Sequence, residues 1–413
     1  MMMSENHDSV KSSVTMQLVG LGGAGSNAIA HLHSCGALSS VSKIALDTDK
    51  KALDALDVPT KHCMGASLLR GLSSGGSVEL GQKALEADDD AVRALLGSSD
   101  FTCLLVGLGG GTGGGAGPAV AKMLAENGSL LIAFAILPFS FEGAKRQKEA
   151  QESLALLEHH CDAVISLPNS ILLQQMEESV SATEAFAAAN LWFERAIISL
   201  HTLLYFPGLV NADFSHLQAL FSASSGKTLF ALGRGAGDHC LEQALQDLML
   251  CPLRHIPDAL ERAGSLLVSV VASPDLDMNA INELIASVAN TFSSKDQTVV
   301  NLYLDDSLSS SIDVCVIGVT SPVKTSGAPR MTSSVSSAIN RAEPPSEEED
   351  FSQKKKKRKG LLSSIARSQE EFDFVEESLD ARGYFEKTDK NLFEGEDLDV
   401  PTYLRKGIKV NLR

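Results

Sequence analysis

Aromatic residues are scarce in this sequence, and it has no excess of basic charge. Aromatic side chains make up 5% of its 413 residues, with a single Trp, so the hydrophobic core has to be built from aliphatic and small side chains. The formal net charge is -17 and the pI is near 5.0. Because neutralising the phosphates of a nucleic acid requires a basic face, this balance argues against nucleic acid as a partner.

Paired cysteines and long apolar stretches are absent as well. The seven cysteines occur singly between Cys35 and Cys315, with no C-x-x-C pair. Since we find no histidine near them at ligand spacing, we expect neither disulfides nor a metal site made of protein ligands. No apolar stretch approaches the ~18 residues of a membrane span, and residues 1–14 lack the apolar segment of a signal peptide. We therefore expect a soluble protein of a reducing cytoplasm.

Strands that end in glycine turns are the first positive signal. The apolar residues 14–19 lead into the G-x-G-x-x-G turn of residues 20–25, and a second strand at residues 43–46 ends at Asp47. Strands that alternate with helices predict an α/β protein with a parallel, doubly wound sheet. This turn with Asp47 also fits a dinucleotide fingerprint, which on its own leaves a nicotinamide or flavin enzyme open.

A second, longer glycine loop changes that interpretation. A third strand at residues 101–106 runs into residues 107–118, which are mostly glycine around Thr112, and we expect the next helix to begin only after Pro118. Glycine allows backbone N–H groups to converge on an anion. Two such loops at neighbouring strand ends favour a nucleoside triphosphate over a dinucleotide.

The rest of the chain divides into three parts. Residues 181–206 are apolar on almost every side of a helical wheel, which predicts a long buried helix. Residues 207–319 carry further strands and predict a second, smaller α/β domain. After residue 320 the composition turns to Ser, Pro, Glu, Lys and Gln, which cannot bury enough apolar surface to order itself and predicts a disordered tail.

Several motifs together resemble those of the tubulin/FtsZ superfamily. Residues 109–115 (GGGTGGG) resemble the tubulin-superfamily signature, and residues 137–146 (LPFSFEGAKR) resemble its bacterial cell-division branch. Four further stretches agree in order and spacing, namely residues 22–27, 167–169, 183–190 and 210–214. The sequence is thus identified as a divergent member, with the likeness spanning residues 16–319 and resuming at the extreme tail.

The resemblance implies a GTP/GDP site in which Mg²⁺ bridges phosphate oxygens. The two glycine loops would hold the phosphates, and Glu142 and Arg146 would meet the ribose and phosphate region. Asn169 and Asn190 would hydrogen-bond the guanine edge, with Phe186 stacked on its face. The implied nucleotide-binding residues are Gly22, Gly23, Ala24, Gly25, Ser26, Asn27, Asp47, Gly109, Gly110, Gly111, Thr112, Gly113, Gly114, Glu142, Arg146, Asn169, Phe186 and Asn190.

In this family, hydrolysis is shared between subunits of a head-to-tail homopolymer, because a loop of one subunit completes the nucleotide pocket of the next. The implied catalytic residues are Asn211, Asp213 and His216. The family normally carries two acidic residues three apart, but here His216 stands in the second position. Since a neutral imidazole is a weaker acceptor than a carboxylate, we expect weakened activation of water.

Two other departures lie near the expected phosphates. Asp47 stands where the family usually has Asn, and residues 70–76 (RGLSSGG) lack the usual pattern beside the γ-phosphate. A carboxylate near phosphates repels them unless a cation intervenes. Nucleotide binding is therefore expected, and rapid turnover is less so.

The tail resembles the C-terminal peptide by which this family docks onto membrane tethers and division regulators. Its recognition segment would run between Leu398 and Lys406, with apolar anchors, one proline and a basic end. The predicted organisation is a disordered N-terminus at 1–14, a GTP-binding domain at 15–180, a central helix at 181–206, a second α/β domain at 207–319, a disordered linker at 320–384 and a partner-binding peptide at 385–413.

Three functions stay open from the sequence. The leading one is a GTP-dependent, polymerising cell-division protein of the cytokinetic ring, located in the cytoplasm beneath the membrane at the division site. The second is a GTP-binding structural filament or regulator with little or no hydrolysis, suggested by His216 and by residues 73–76. The third is a nucleotide-dependent oxidoreductase.

Overall fold

The computed structural model describes residues 14–36, 38–175, 181–222, 227–254, 263–292 and 298–320, together with 392–393 and 396–397. Within them two sheets are built from the strands β1 Met16–Leu21, β2 Ser42–Asp47, β3 Thr60–Cys63, β4 Phe101–Gly107, β5 Leu130–Leu137, β6 Ala163–Pro168, β7 Thr228–Ala236, β8 Ala263–Ala272, β9 Thr298–Leu304 and β10 Ser311–Thr320. A separate unit carries the short strands β11 Leu392–Phe393 and β12 Glu396–Asp397, which pair antiparallel.

The helices of the described residues connect and cover these strands. They are α1 Gly22–Ser34, α2 Lys50–Asp54, α3 Ala66–Leu69, α4 Val78–Ala87, α5 Asp89–Leu96, α6 Gly111–Glu126, α7 Ala144–Glu158, α8 Asn169–Gln175, α9 Ala182–Tyr205, α10 Phe214–Ser222, α11 Cys240–Leu250 and α12 Met278–Phe292, with short 3-10 helices at Ser140–Glu142 and Pro252–Arg254. None of the helices in this described part combines the length and apolar content that crossing a bilayer requires.

The first sheet is parallel throughout, with strand order β3-β2-β1-β4-β5-β6. The inner strands β1 and β5 are buried along their whole length, as a sheet covered by helices on both sides requires, whereas the edge strand β3 is polar and partly exposed. The second sheet has the order β7-β10-β8-β9, in which β10 runs antiparallel to both of its neighbours. The predicted doubly wound sheet with a second, smaller α/β region is confirmed.

Helix α9 links the two sheets. Ser181 caps its first turn in a capping box with Glu184, which fixes where the helix begins. Near its middle, Phe193 contacts Phe134 of β5 edge-on, and Phe134 contacts Phe230 of β7 in the same way, with ring centroids 5.9 Å apart in both pairs. The helix is nevertheless not buried on every side, because Phe186 is 48% exposed. A shared aromatic and aliphatic core therefore joins both sheets through α9.

The expectation that the second glycine loop continues to Pro118 was wrong. Helix α6 already begins at Gly111 and includes Pro118. Proline removes one helical N–H and so leaves the carbonyl of Gly114 without its usual partner, and the hydroxyl of Ser153 on α7 is shared between that carbonyl, at 3.2 Å, and the carbonyl of Glu149, at 2.9 Å. The run of glycines in α6 serves close packing, since a Cβ on Gly115 would lie 2.1 Å from the carbonyl oxygen of Val78.

Candidate nucleotide-binding site

The strand order of the parallel sheet reverses between β1 and β4, and we call the space at the carboxyl edge there, between the loops that follow these two strands, the crevice. In doubly wound sheets this switch point is where ligands bind, because the loops after the two strands diverge to opposite faces. Here α1 follows β1 directly and α6 follows β4 after three residues, so both helices begin at the crevice. Helix N-termini carry free N–H groups and partial positive charge, which suits an anion.

The two glycine loops are in contact with each other and with the sheet. A Cβ added to Gly22 would lie 3.2 Å from the backbone nitrogen of Gly113, and one added to Gly25 would lie 2.1 Å from the carbonyl oxygen of Leu105 in β4. By contrast, a Cβ on Gly23 or on Gly110 would meet nothing within 4 Å. The loops are therefore tight where they face the protein and open where they face the crevice.

The predicted phosphate-binding residues likewise include some that are exposed and some that are buried. Gly23 and Asn27 are exposed and Gly110 is half-buried, whereas Thr112 is buried. The hydroxyl of Ser26 is turned inward and donates to the carbonyl of Leu46 at 3.4 Å. Four further glycines of the second loop are also buried, namely Gly109, Gly111, Gly113 and Gly114. Their role is close packing of the backbone beside the open crevice.

Three hydroxyl groups converge behind the second loop. The Oγ1 atoms of Thr48 and Thr112 lie 2.7 Å apart, and the Oγ atom of Ser74 lies 3.2 Å from that of Thr112. The backbone nitrogen of Ser74 also donates to Thr48 at 3.0 Å. This hydroxyl cluster fastens residues 70–76 to the glycine loop. Sequence reasoning missed Thr48, although its place directly after β2, at the carboxyl edge, was an available signal.

Asp47 brings a buried carboxyl group to the same edge. It is 4% exposed and accepts hydrogen bonds from the backbone nitrogens of Thr48, at 2.7 Å, and Asp49, at 3.5 Å. Burial raises the pKa of the Asp47 carboxyl, and these backbone hydrogen bonds oppose that rise. A carboxyl held here can act as an oxygen ligand for a hard cation such as Mg²⁺. The cation would also offset the repulsion between this carboxyl and nearby phosphates.

Aromatic rings and an unpaired amide gather at the ends of β5 and β6. Phe186 packs edge-on against the buried Phe139 at 5.3 Å, and Phe141, which is 69% exposed, stacks on the same ring at 5.0 Å. Among the described residues, the buried Oδ1 atom of Asn169 has no hydrogen-bond partner. Since buried polar atoms are nearly always paired, this oxygen fits a ligand that donates to it, as a purine edge can. Asn190 is half-buried on α9, one turn beyond Phe186.

Glu142 and Arg146 form an ion pair with each other. The Arg146 guanidinium donates to one carboxylate oxygen of Glu142, while the other accepts from the backbone nitrogen of Phe139 at 2.9 Å. Although the two residues are four apart, the pair joins two elements, because Glu142 ends the 3-10 helix Ser140–Glu142, Gly143 has a φ of 101° and α7 begins at Ala144. The pair lies beside the second glycine loop, since a Cβ on Gly109 would lie 2.7 Å from the Arg146 carbonyl oxygen.

The predicted catalytic residues lie at the other end of α9. At this end of α9 the Tyr205 phenol hydrogen-bonds the backbone of Met16, the first residue of β1. This end of the helix therefore lies beside the amino edge of the first sheet. The loop that follows is anchored to β9 through Leu209, whose nitrogen donates to the Leu302 carbonyl at 2.7 Å. With 1.5 Å per residue, the end of α9 is about 28 Å from Phe186. One molecule therefore does not bring Asp213 to its own crevice.

Within that loop Asp213 and His216 contact each other. The Oδ1 atom of Asp213 accepts from the Ser215 hydroxyl at 2.5 Å and lies 2.8 Å from Nδ1 of His216. These two hydrogen bonds lower the pKa of the Asp213 carboxyl to about 2, so it is a weak base. Asp213, His216 and Asn211 are all exposed, on a surface that a second molecule can reach.

Two glycine-headed helices at the switch point of a parallel sheet define a nucleotide-binding α/β protein. The family model described as "Tubulin/FtsZ family, GTPase domain" matches residues 15–177. The chain is 33% identical over 308 residues to "Cell division protein FtsZ" of Wigglesworthia glossinidia brevipalpis and 31% identical over 309 residues to the protein of the same name from Buchnera aphidicola. These alignments cover 74% and 75% of this chain and 79% of each relative.

A solved structure of similar shape agrees with these matches. The structure titled "FtsZ dimer, empty (M. jannaschii)" has a TM-score of 0.67 and 27% identity, covering 75% of this chain and 89% of that one. The chain belongs to the tubulin/FtsZ family.

Proposed function

We propose that this chain binds GTP at the crevice, polymerises head to tail and hydrolyses GTP at the junction between subunits, as a filament protein of the cytokinetic ring. The observation that carries the nucleotide part is the unpaired, buried Oδ1 of Asn169, at the same sheet edge as the two glycine-headed helices. Family membership supports the filament and division parts, and the relatives' printed names concern cell division.

Different residues of the crevice would bind different parts of the nucleotide. The open N-termini of α1 and α6 would hold the triphosphate, with Thr112 and Asp47 available to the Mg²⁺ that accompanies it. Phe186 and the neighbouring Phe141 present exposed ring surface for the base. The Asn169 oxygen would accept from guanine, which presents N–H donors where adenine offers an acceptor, and this difference would give the preference for GTP over ATP.

Polymerisation follows from how the site is divided between the two ends of α9. The crevice lies at the carboxyl edge of the first sheet, and the loop with Asp213 lies about 28 Å away along the helix. A hydrolytic site that uses both therefore needs the loop of a second subunit, and repeating that contact gives a head-to-tail homopolymer. Such a heterologous contact gives a filament when the rotation between subunits does not close into a ring.

At the junction, His216 is the side chain best placed to accept a proton from the attacking water. The shorter 2.8 Å contact with the Asp213 carboxylate favours the tautomer in which Nδ1 of His216 donates, over the one in which Nδ1 accepts the 3.3 Å hydrogen bond from the backbone nitrogen of Asp213. Its Nε2 then carries the free lone pair of the neutral ring. Asp213 would thus orient the imidazole, and the water oxygen would attack the γ-phosphorus while its proton passes to Nε2 and GDP leaves.

A second candidate is a GTP-binding filament with little or no hydrolysis. It is favoured by one observation, namely that the only carboxylate among the three predicted catalytic residues is occupied by Ser215 and His216 and has its pKa lowered to about 2. A carboxylate that accepts protons so poorly gives little assistance as a general base. In this case the filaments would be long-lived.

One experiment separates these functions. The purified chain is mixed with GTP and Mg²⁺, and sedimentable polymer and released phosphate are measured together, with ATP and NAD as control ligands. Polymer with phosphate release supports the polymerising GTPase, and polymer without it supports the structural filament. Binding of NAD without polymer or phosphate release would refute both of these functions and support the nucleotide-dependent oxidoreductase instead.

We further propose that the filaments lie in the cytoplasm beneath the membrane at the division site. The tether would be a membrane-bound protein that recognises the peptide between Leu398 and Lys406. That peptide lies outside the described residues, so the proposal rests on its sequence pattern and on family membership.

A further inference from the structure

A cluster of three metal-ligating side chains lies between α1 and α9. It consists of His31 and Cys35 at the end of α1 and Glu194 in the middle of α9, and their ligand atoms all lie within 4.8 Å of one another. The expectation that no histidine stands near a cysteine at ligand spacing was wrong here. The i,i+4 spacing of His31 and Cys35 on one helix was the signal, and Glu194 comes to them only through folding.

The atoms already stand close to the positions that one tetrahedral ion would require. The Nε2 atom of His31 lies 2.8 Å from Oε2 of Glu194 and 3.8 Å from Sγ of Cys35. Ligands at ordinary zinc bond lengths of about 2.0–2.3 Å are about 3.4–3.6 Å apart in a tetrahedron. The His31–Glu194 distance therefore has to lengthen by about 0.6 Å and the His31–Cys35 distance to shorten by about 0.2 Å, while the Cys35 thiol already lies within 4.8 Å of the Glu194 carboxylate.

The supporting helices hold the cluster in place while leaving it open. Ile29 and Leu32 of α1 and Phe193 of α9 are fully buried in the shared core on other faces of the two helices, so the helices that carry the ligands are held in place. The side chains of His31 and Glu194 are 30% and 22% exposed, and Cys35 is exposed. An ion can enter from solvent and keep a water molecule as its fourth ligand.

We propose that His31, Cys35 and Glu194 form a binding site for a zinc-type divalent cation that fastens α1 to α9. One imidazole, one thiolate and one carboxylate suit Zn²⁺, which accepts nitrogen, sulfur and oxygen ligands, better than Mg²⁺ or Ca²⁺, which prefer oxygen alone. The site is about 14 Å along α1 from Gly22 and is independent of the proposed function.

The test uses the full-length chain after treatment with a chelator and desalting. Zinc is titrated in competition with a chromophoric chelator, and cobalt is titrated separately while the near-ultraviolet absorption is recorded. We expect one zinc ion per chain, a rise in Tm with zinc, and a thiolate-to-cobalt charge-transfer band.

Variants locate the ion. Cys35→Ser keeps the His31–Glu194 contact, so its metal-free Tm should match the native chain while its zinc affinity falls at least about 100-fold and the cobalt band disappears, since losing even an outer partner of a ligand costs about 10–100-fold. Glu194→Gln should lose zinc affinity while keeping the band. The matched controls are His33→Gln, on the same helix, and Cys63→Ser, which removes a partly buried thiol on β3, and both should bind zinc as the native chain does.

Three results would overturn the proposal. They are zinc uptake below one equivalent at micromolar concentration, unchanged zinc affinity in Cys35→Ser, and a loss in His33→Gln or Cys63→Ser as large as that in Cys35→Ser.

Discussion

The contact between α1 and β4 allows a quantitative test of how the phosphate site is built. Gly25 faces the Leu105 carbonyl oxygen, and a Cβ at this position would lie 2.1 Å from it. Real Cβ contacts are essentially never under 3.0 Å, so Gly25→Ala must separate the helix from the strand by about 0.9 Å. The displaced atoms are backbone on both sides, and no side chain can rotate away to relieve the contact.

The expected loss of stability is the difference between two terms. Overpacking against backbone costs up to about 3 kcal/mol, and replacing a helical glycine by alanine returns about 0.5–1 kcal/mol. The net destabilisation is about 2 kcal/mol, which lowers Tm by about 4–8 °C. Because the shift moves the N-terminus of α1, affinity for GTP should fall as well.

Gly23→Ala is the matched control on the same helix. Its added Cβ meets nothing within 4 Å, so the Tm of this variant should be unchanged or slightly higher. Both variants are followed by thermal unfolding with circular dichroism and by calorimetric titration with GTP. A Gly25→Ala protein as stable as Gly23→Ala would refute the idea that close backbone packing dictates glycine at this position.

The base pocket, the hydrolysis loop and the tail each carry a further expectation. In calorimetry GTP should bind and ATP should not, and Asn169→Ala should weaken GTP binding about 10-fold through its lost hydrogen bond; equal affinity for GTP and ATP in the native chain would contradict this. If a carboxylate pair is required, His216→Asp should raise phosphate release per polymerised subunit and Asp213→Ala should nearly abolish it. If His216 is the base, phosphate release by His216→Asp should be slower than that of the native chain. Deleting residues 396–413 should leave polymer formation intact and abolish recruitment to a tether, and failure of the shortened chain to assemble would refute a purely recruiting role.

Local patterns in the sequence were sufficient for the sheet class and for the positions of the glycine turns after β1 and β4. Strands that end in glycine turns predict a parallel sheet because the alternation of strand and helix is a property of neighbouring residues. The long helix was predicted for the same reason, and the structure has it at Ala182–Tyr205. The extent of the second glycine loop was misjudged, because the glycines that begin α6 at Gly111 are dictated by packing partners distant in sequence.

The contacts that give each site its chemistry were decided by tertiary structure alone. No local pattern predicts that Thr48 and Thr112, 64 residues apart, share a hydrogen bond, or that the Oδ1 atom of Asn169 is buried without one. The pairing of His31 with Glu194 spans 163 residues and depends on how α1 packs against α9. Sequence motifs determine which groups a chain can offer, whereas distance, burial and free hydrogen-bonding capacity arise only when remote elements pack together.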